Sequence, residues 1–173
     1  MKEFLFAIPI FKIEVNNFKK KKKELINIFS HFPEKKIGIQ DFFTNRQSNR
    51  EGLVDSFANV CKEELIKLTE LIQRNISIED VWSTSYNRGN YHPVHNHGSL
   101  GLTGILYLDM PKDAPTTEYI QPWNDIVTDT TSYSSVPTEE GTMVIVPRFI
   151  NHFTKPSKSK KIKRIISWDM KII

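Results

Sequence analysis

One cysteine, Cys61, stands in 173 residues. That excludes an internal disulfide and fits a reducing compartment. No stretch approaches the eighteen or so consecutive apolar residues that a membrane-spanning helix needs. The opening run MKEFLFAIPIFKIEV is apolar, but it carries Lys2, Glu3 and Lys12, lacks a small-residue cleavage site and alternates like a strand. It does not read as a secretory signal. These absences predict a cytoplasmic protein. There is no internal repeat and no long linker, and 39% apolar residues are enough for a single core. One domain over residues 1–173 is expected.

Histidine is also scarce, with five in the chain. Lysine is not: Lys19 to Lys23 form one basic patch, and Lys158, Lys160, Lys161, Lys163 and Arg164 form another. With a net charge of +4 and a pI near 9.1, a solvated helix face and a lysine-rich turn explain both patches more simply than nucleic acid does.

The hydrophobic pattern changes period along the chain. Residues 3–15 alternate as a strand. From Phe18 to Phe32, Leu25, Ile28 and Phe29 share one helical face opposite the lysines, and Pro33 ends the run. Residues 35–50 are polar and read as irregular. Leu53, Phe57, Val60, Cys61, Leu65, Leu68, Leu71 and Ile72 then recur at helical steps, predicting one long amphipathic helix. Strands are expected over 79–87, within 91–108, around 118–120, over 141–146 and over 163–173. Helices mainly within 16–75, followed by strands over 79–173, predict an α+β protein around an antiparallel sheet or barrel.

Three of the five histidines fall in the run YHPVHNH, at His92, His95 and His97. The letters HNH suggest a nuclease by name only, since that motif is dispersed through a hairpin and helix absent here. On a strand, His95 and His97 point the same way and can share one metal ion. His152 follows a separate strand and can supply a third ligand, leaving open positions for cosubstrate and oxygen. Solvated polar side chains are the plain alternative. Arg164 lies inside the apolar run RIISWDM, where a guanidinium must reach either solvent or an anion.

The stretches HNHGSLGLTGILYL, GTMVIVPRFINHF and RIISWD together resemble the 2-oxoglutarate- and Fe(II)-dependent oxygenases. The likeness is greatest to the prolyl-hydroxylase-like members and the small oxygenase-like proteins of phages and bacteria. The resemblance spans roughly residues 80–170. It implies a distorted jelly roll (a double-stranded β-helix) with N-terminal helices packed against it. It implies His95, His97 and His152 as iron ligands, with His97 standing where the family usually has aspartate or glutamate. Arg164 would clamp the distal carboxylate of 2-oxoglutarate and Tyr107 would hydrogen-bond it. Thr103 and Trp168 share strand faces with Tyr107 and Arg164 and are expected beside the cosubstrate. Ile166 occupies a position where the family commonly has serine. Tyr86 and Tyr91 would line the mouth, and Trp123, in a lid-like stretch 111–140, would meet the substrate.

The resemblance therefore implies an enzyme using Fe(II), 2-oxoglutarate and O2 to hydroxylate an unidentified substrate, with release of succinate and CO2. Two other readings remain open at this stage. One is a three-histidine cupin-type dioxygenase without 2-oxoglutarate, although Gly101 and Leu102 stand where such a site has glutamate. The other is a non-enzymatic jelly-roll binding module.

Overall fold

The computed structural model describes residues 8–38 and 42–173. In chain order the elements are β1 (Phe11–Glu14), α1 (Phe18–Ser30), β2 (Lys35–Ile37), β3 (Phe42–Thr44), α2 (Leu53–Val60), α3 (Lys62–Ile72), β4 (Ile76–Tyr86) and β5 (His92–His95). Then come β6 (Leu102–Asp109), β7 (Thr117–Ile120), β8 (Tyr133–Ser135), β9 (Thr142–Pro147), β10 (His152–Thr154) and β11 (Lys163–Ile172). Seven strands form one antiparallel sheet in the order β1-β9-β6-β11-β4-β3-β2, and four form a second, β5-β10-β7-β8.

Alternation along the strands sorts side chains into two cores. On one face of the large sheet, Leu106, Met143, Ile145, Ile166, Trp168 and Met170 pack under the helices, against Leu25, Phe29, Leu53, Phe57 and Leu68. On the other face, Tyr86, Ile105, Tyr107, Val144, Val146 and Ile165 meet Tyr119 of the small sheet. The result is a distorted jelly roll backed by helices. None of the helices among the described residues is long and apolar enough to cross a membrane.

Gly104 of β6 lies opposite Trp168 of β11, and a Cβ at Gly104 would lie 2.2 Å from the nearest indole carbon. Gly104→Ala is therefore expected to destabilise the fold by about 3 kcal/mol, since a packed core cannot absorb the overlap. Thermal unfolding measures this, and an unchanged midpoint would contradict the packing described.

Three expectations need correction. The polar stretch 35–50 contains the short strands β2 and β3, which extend the large sheet. Their apolar content is too sparse to signal pairing, which the edge of β4 supplies. The long helix is two helices meeting at Cys61, with periodicity carried across the break. Burial and the nearby Glu64 push the Cys61 thiol up to about 12, so it is a core residue. The N-terminal strand begins at Phe11, and the part of its expectation over residues 3–7 lies outside the described residues.

Candidate metal and cosubstrate centre

β5 and β10 are antiparallel with His152 directly opposite His95. His97 lies just past β5, and its turn is pinned to the end of β9. Its N–H donates to the Arg148 carbonyl at 2.9 Å, and Arg148 Nε returns a bond to the His97 carbonyl at 2.8 Å. These bonds bring the three rings together, with one nitrogen of each within 4.8 Å of the others.

The outer nitrogens are already engaged. Nδ1 of His95 lies 2.9 Å from the Pro93 carbonyl, Nδ1 of His152 lies 2.9 Å from the Ile150 carbonyl, and Nδ1 of His97 lies 2.7 Å from Asp169 Oδ1. Carbonyl and carboxylate oxygens only accept, so each Nδ1 carries its proton and each Nε2 lone pair is free. Burial, together with electrostatic repulsion among the rings, holds His95 down to about 4 and His152 down to about 3. Neutral imidazoles with inward lone pairs are the donor set a divalent transition metal takes.

His92 is drawn in as a neighbour of the triad. Its ring stacks on His95 with centroids 3.9 Å apart and lies tilted against Phe42 at 4.0 Å, and its Nδ1 is hydrogen-bonded to Tyr86 Oη at 3.1 Å. The free space lined by Trp82, Tyr86, the four histidines and Thr117 is about 20 Å³. That is room for an ion, and a five-carbon diacid requires surrounding side chains to move.

Among the described residues, the fully buried cation is Lys163. Its ammonium lies 5.0 Å from the Tyr86 ring and 5.5 Å from the Tyr107 ring. It donates to the Pro115 carbonyl at 2.7 Å, and burial lowers its pKa to about 7. Among the described residues this buried ammonium faces a carbonyl and two aromatic rings, and no anion. Tyr107, beside it, donates to Thr117 Oγ1 at 3.0 Å.

Arg164 does not enter this interior. Its side chain is 42% exposed and its Nε lies 3.4 Å from Asp109. Trp168 points the same way as Arg164, into the helix-side core, where its ring lies 5.1 Å from Phe57. The shared face of Arg164, Ile166 and Trp168 was legible from alternation, but it packs against the helices. The residues of opposite parity, Lys163, Ile165, Ser167 and Asp169, face the site. Thr103 sits behind His97, with Oγ1 3.3 Å from its Nδ1, and does not line the pocket beside Lys163.

Tyr86 lines the histidine pocket. Tyr91 is half-buried just before β5 and is outside that lining. Trp123, 47% exposed, borders a different, apolar cavity with Tyr119, Tyr133 and Ile150. The stretch 111–140 contributes β7 and β8 to the small sheet, so it is partly a wall of the barrel. Lys163, Asp169, Trp82 and Arg46 escaped the sequence reading. Lys163 was masked by its lysine-rich neighbours, and Arg46 by a segment with no periodic signal.

A family model described as "Putative 2OG-Fe(II) oxygenase" matches residues 80–169, just over half the chain. The chain belongs to this family of 2-oxoglutarate- and Fe(II)-dependent oxygenases, and Fe(II) and 2-oxoglutarate are the cofactors that membership brings. Among solved structures it is similar to the viral collagen prolyl hydroxylase of Paramecium bursaria Chlorella virus-1, in complex with 2-oxoglutarate. Identity is 19% over 95% of this chain and 96% of that one, with a TM-score of 0.57. HygX from Streptomyces hygroscopicus, solved with nickel, 2-oxoglutarate and hygromycin B, is 9% identical over 95% and 83%, with a TM-score of 0.68. An oxidoreductase of the 2OG-Fe(II) oxygenase family from Burkholderia pseudomallei is 6% identical over 94% and 84%, at 0.71. At these identities the structures share the fold. No curated protein matches the sequence significantly.

Proposed function

We propose that this chain is a hydroxylase in which His95, His97 and His152 hold Fe(II) and Lys163 binds the distal carboxylate of 2-oxoglutarate. The observation that carries the reading is the buried Lys163 ammonium, linked to the triad through packed rings. It lies over Tyr86, Tyr86 bonds His92, and His92 stacks on His95. A cation with no anionic partner among the described residues at one end and three inward nitrogens at the other suit a ligand that is a carboxylate at one end and a chelate at the other.

The bound metal supplies the coupling of 2-oxoglutarate decarboxylation by O2, giving succinate and CO2, to insertion of an oxygen atom into a substrate C–H bond. The protein's share is orientation and exclusion of water. The outer hydrogen bonds fix each imidazole in the tautomer that presents Nε2 inward. Tyr107 and Thr117 offer hydroxyls beside the ammonium, and Ile105, Ile165 and Tyr86 keep the wall dry. Lys163 would regain the charge that burial disfavours once a carboxylate reaches it. The full-length likeness to a viral prolyl hydroxylase supports hydroxylation as the reaction type.

The test is anaerobic titration of Fe(II)-loaded protein with 2-oxoglutarate, following the visible charge-transfer band, then admission of air and assay of succinate. Both signals are expected in the native protein, and both should vanish in His152→Ala. Arg164→Ala should retain the band with an affinity within about twofold, because that side chain pairs with Asp109 outside the site. Absence of the band in native protein, or its loss on changing Arg164 alone, would defeat the assignment.

A further inference from the structure

Three neutral imidazoles bring no negative charge to a divalent ion. One carboxylate stands directly behind them. Asp169 is 2% exposed, and its shortest bond, 2.7 Å, runs from Oδ1 to His97 Nδ1. Its other oxygen is held by Arg46 Nη2 at 3.2 Å and lies 3.7 Å from Arg148 Nη2.

We infer that Asp169 is a positioning residue for the metal centre, locking His97 as the Nδ1–H tautomer and lending its charge to the metal-facing nitrogen. This rests on reading the triad as the metal site. Four features favour it over a mere anchor for the arginines. First, both arginines have other partners: Arg148 Nη1 pairs with Glu79 at 2.7 Å, and the Arg46 guanidinium lies 4.0 Å over Trp82.

Second, Thr103 stands opposite Asp169 across the β6–β11 ladder. Its hydroxyl donates to the Trp168 carbonyl at 3.2 Å, so its oxygen is left to accept from His97 Nδ1 at 3.3 Å. Both neighbours of that nitrogen are therefore acceptors, and they agree on one tautomer. Third, Trp82 stacks on His97 with centroids 5.4 Å apart and planes 21° apart, which fixes the ring, and the Arg46 guanidinium lies 4.0 Å over the same indole. Fourth, Arg46 Nη2 holds the other carboxylate oxygen, Oδ2, at 3.2 Å, which leaves Oδ1 to the imidazole. A carboxylate hydrogen-bonded to a ligating imidazole raises the basicity of the far nitrogen, and its loss typically costs ten- to a hundredfold in metal affinity.

The experiment titrates Co(II) alone into metal-free native protein, Asp169→Asn and Thr103→Val, with circular dichroism checking each fold. Native binding, a 10- to 100-fold rise in Kd for Asp169→Asn and a clearly smaller rise for Thr103→Val, which removes an uncharged acceptor, are expected. The Fe(II)–2-oxoglutarate band of Asp169→Asn should also move to shorter wavelength, because a less basic His97 leaves the metal a poorer electron donor. Asp169→Asn binding within threefold of native overturns the inference and leaves the triad standing. An equal loss in Thr103→Val overturns the role of charge. Failure of native protein to bind Co(II) instead defeats the metal-site reading beneath it. Should Asp169→Asn not fold, nitrogen-15 spectra of native metal-free protein decide: a proton on His97 Nδ1 sustains the inference, and a proton on Nε2 overturns it.

Discussion

Lys163→Met is expected to abolish 2-oxoglutarate binding and, at the same time, to make the ligand-free protein more stable. Removing one partner of a buried charge pair costs 2–5 kcal/mol or more, so affinity should fall by about 100-fold or beyond. The gain in stability has the opposite origin. Burial lowers the folded pKa of Lys163 from 10.5 to about 7, so below pH 7 both folded and unfolded chains are protonated and the full cost of an unpaired buried ammonium is borne. As pH rises from 7 towards 10.5 the folded protein sheds the proton and the cost fades. The difference is worth up to about 5 kcal/mol, less what the Pro115 bond and the aromatic contacts return.

Thermal unfolding of both proteins at pH 6 and pH 10 should show the methionine variant ahead at pH 6, with a narrower margin at pH 10. Calorimetry with 2-oxoglutarate reads the binding. A variant that keeps native affinity would remove Lys163 from the site. One that is less stable at pH 6 would mean that the ammonium already has an anionic partner inside the barrel.

The second large effect is acid sensitivity of the metal-free protein. Burial, with mutual repulsion second, depresses His92 to about 2 and His152 to about 3. Burial also lowers His95, to about 4, where the Pro93 carbonyl partly offsets it and His97 adds repulsion. All three start from an ordinary value of 6.5. Above pH 6.5 both folded and unfolded chains hold these rings neutral. As pH falls below that value the unfolded chain takes up protons that the folded one refuses, and stability is lost. By pH 4 the loss reaches about 10 kcal/mol for the three rings together, comparable with the whole stability of a small domain.

Circular dichroism against pH, with and without Zn(II), is the measurement. Metal-free protein is expected to unfold between about pH 6 and pH 4, and Zn(II) to move the midpoint lower by binding the neutral rings. His92→Phe removes one of the titrating groups while retaining a ring against His95 and Phe42, and should shift the metal-free midpoint downward. A flat profile to pH 4 would mean that the rings open to solvent before they charge.

Both effects turn on residues that the sequence shows unequally. His95, His97 and His152 stand out because histidine is rare in this chain and clustered where strands are readable. Lys163 does not, because four neighbouring basic residues make the whole segment look like a solvated turn. The arginine beside it has the more conspicuous chemistry, and alternation along β11 correctly groups it with Ile166 and Trp168. Alternation cannot say which of two apolar faces is the barrel interior, since both faces of this sheet are buried. One is covered by α1, α2 and α3, the other by the small sheet. Each face of β11 opens with a cation, Arg164 on one and Lys163 on the other, so the presence of charge does not break the tie.

The long-range partners were beyond reach for a different reason. Arg46 and Asp169 are 123 positions apart, and Arg46 comes from a stretch whose two three-residue strands are too short to leave a periodic trace. Their meeting depends on β3 joining β4 and β4 joining β11.

Composition and periodicity alone determined that this chain is an α+β protein with helices early and strands late, and that three histidines are the place to look for metal chemistry. Those are local properties, written in residue type and spacing. Which cation is buried over Tyr86 and Tyr107, and which carboxylate backs His97, was decided only when the large sheet was covered on both faces. Strand parity names two faces, and packing alone selects the one that looks inward.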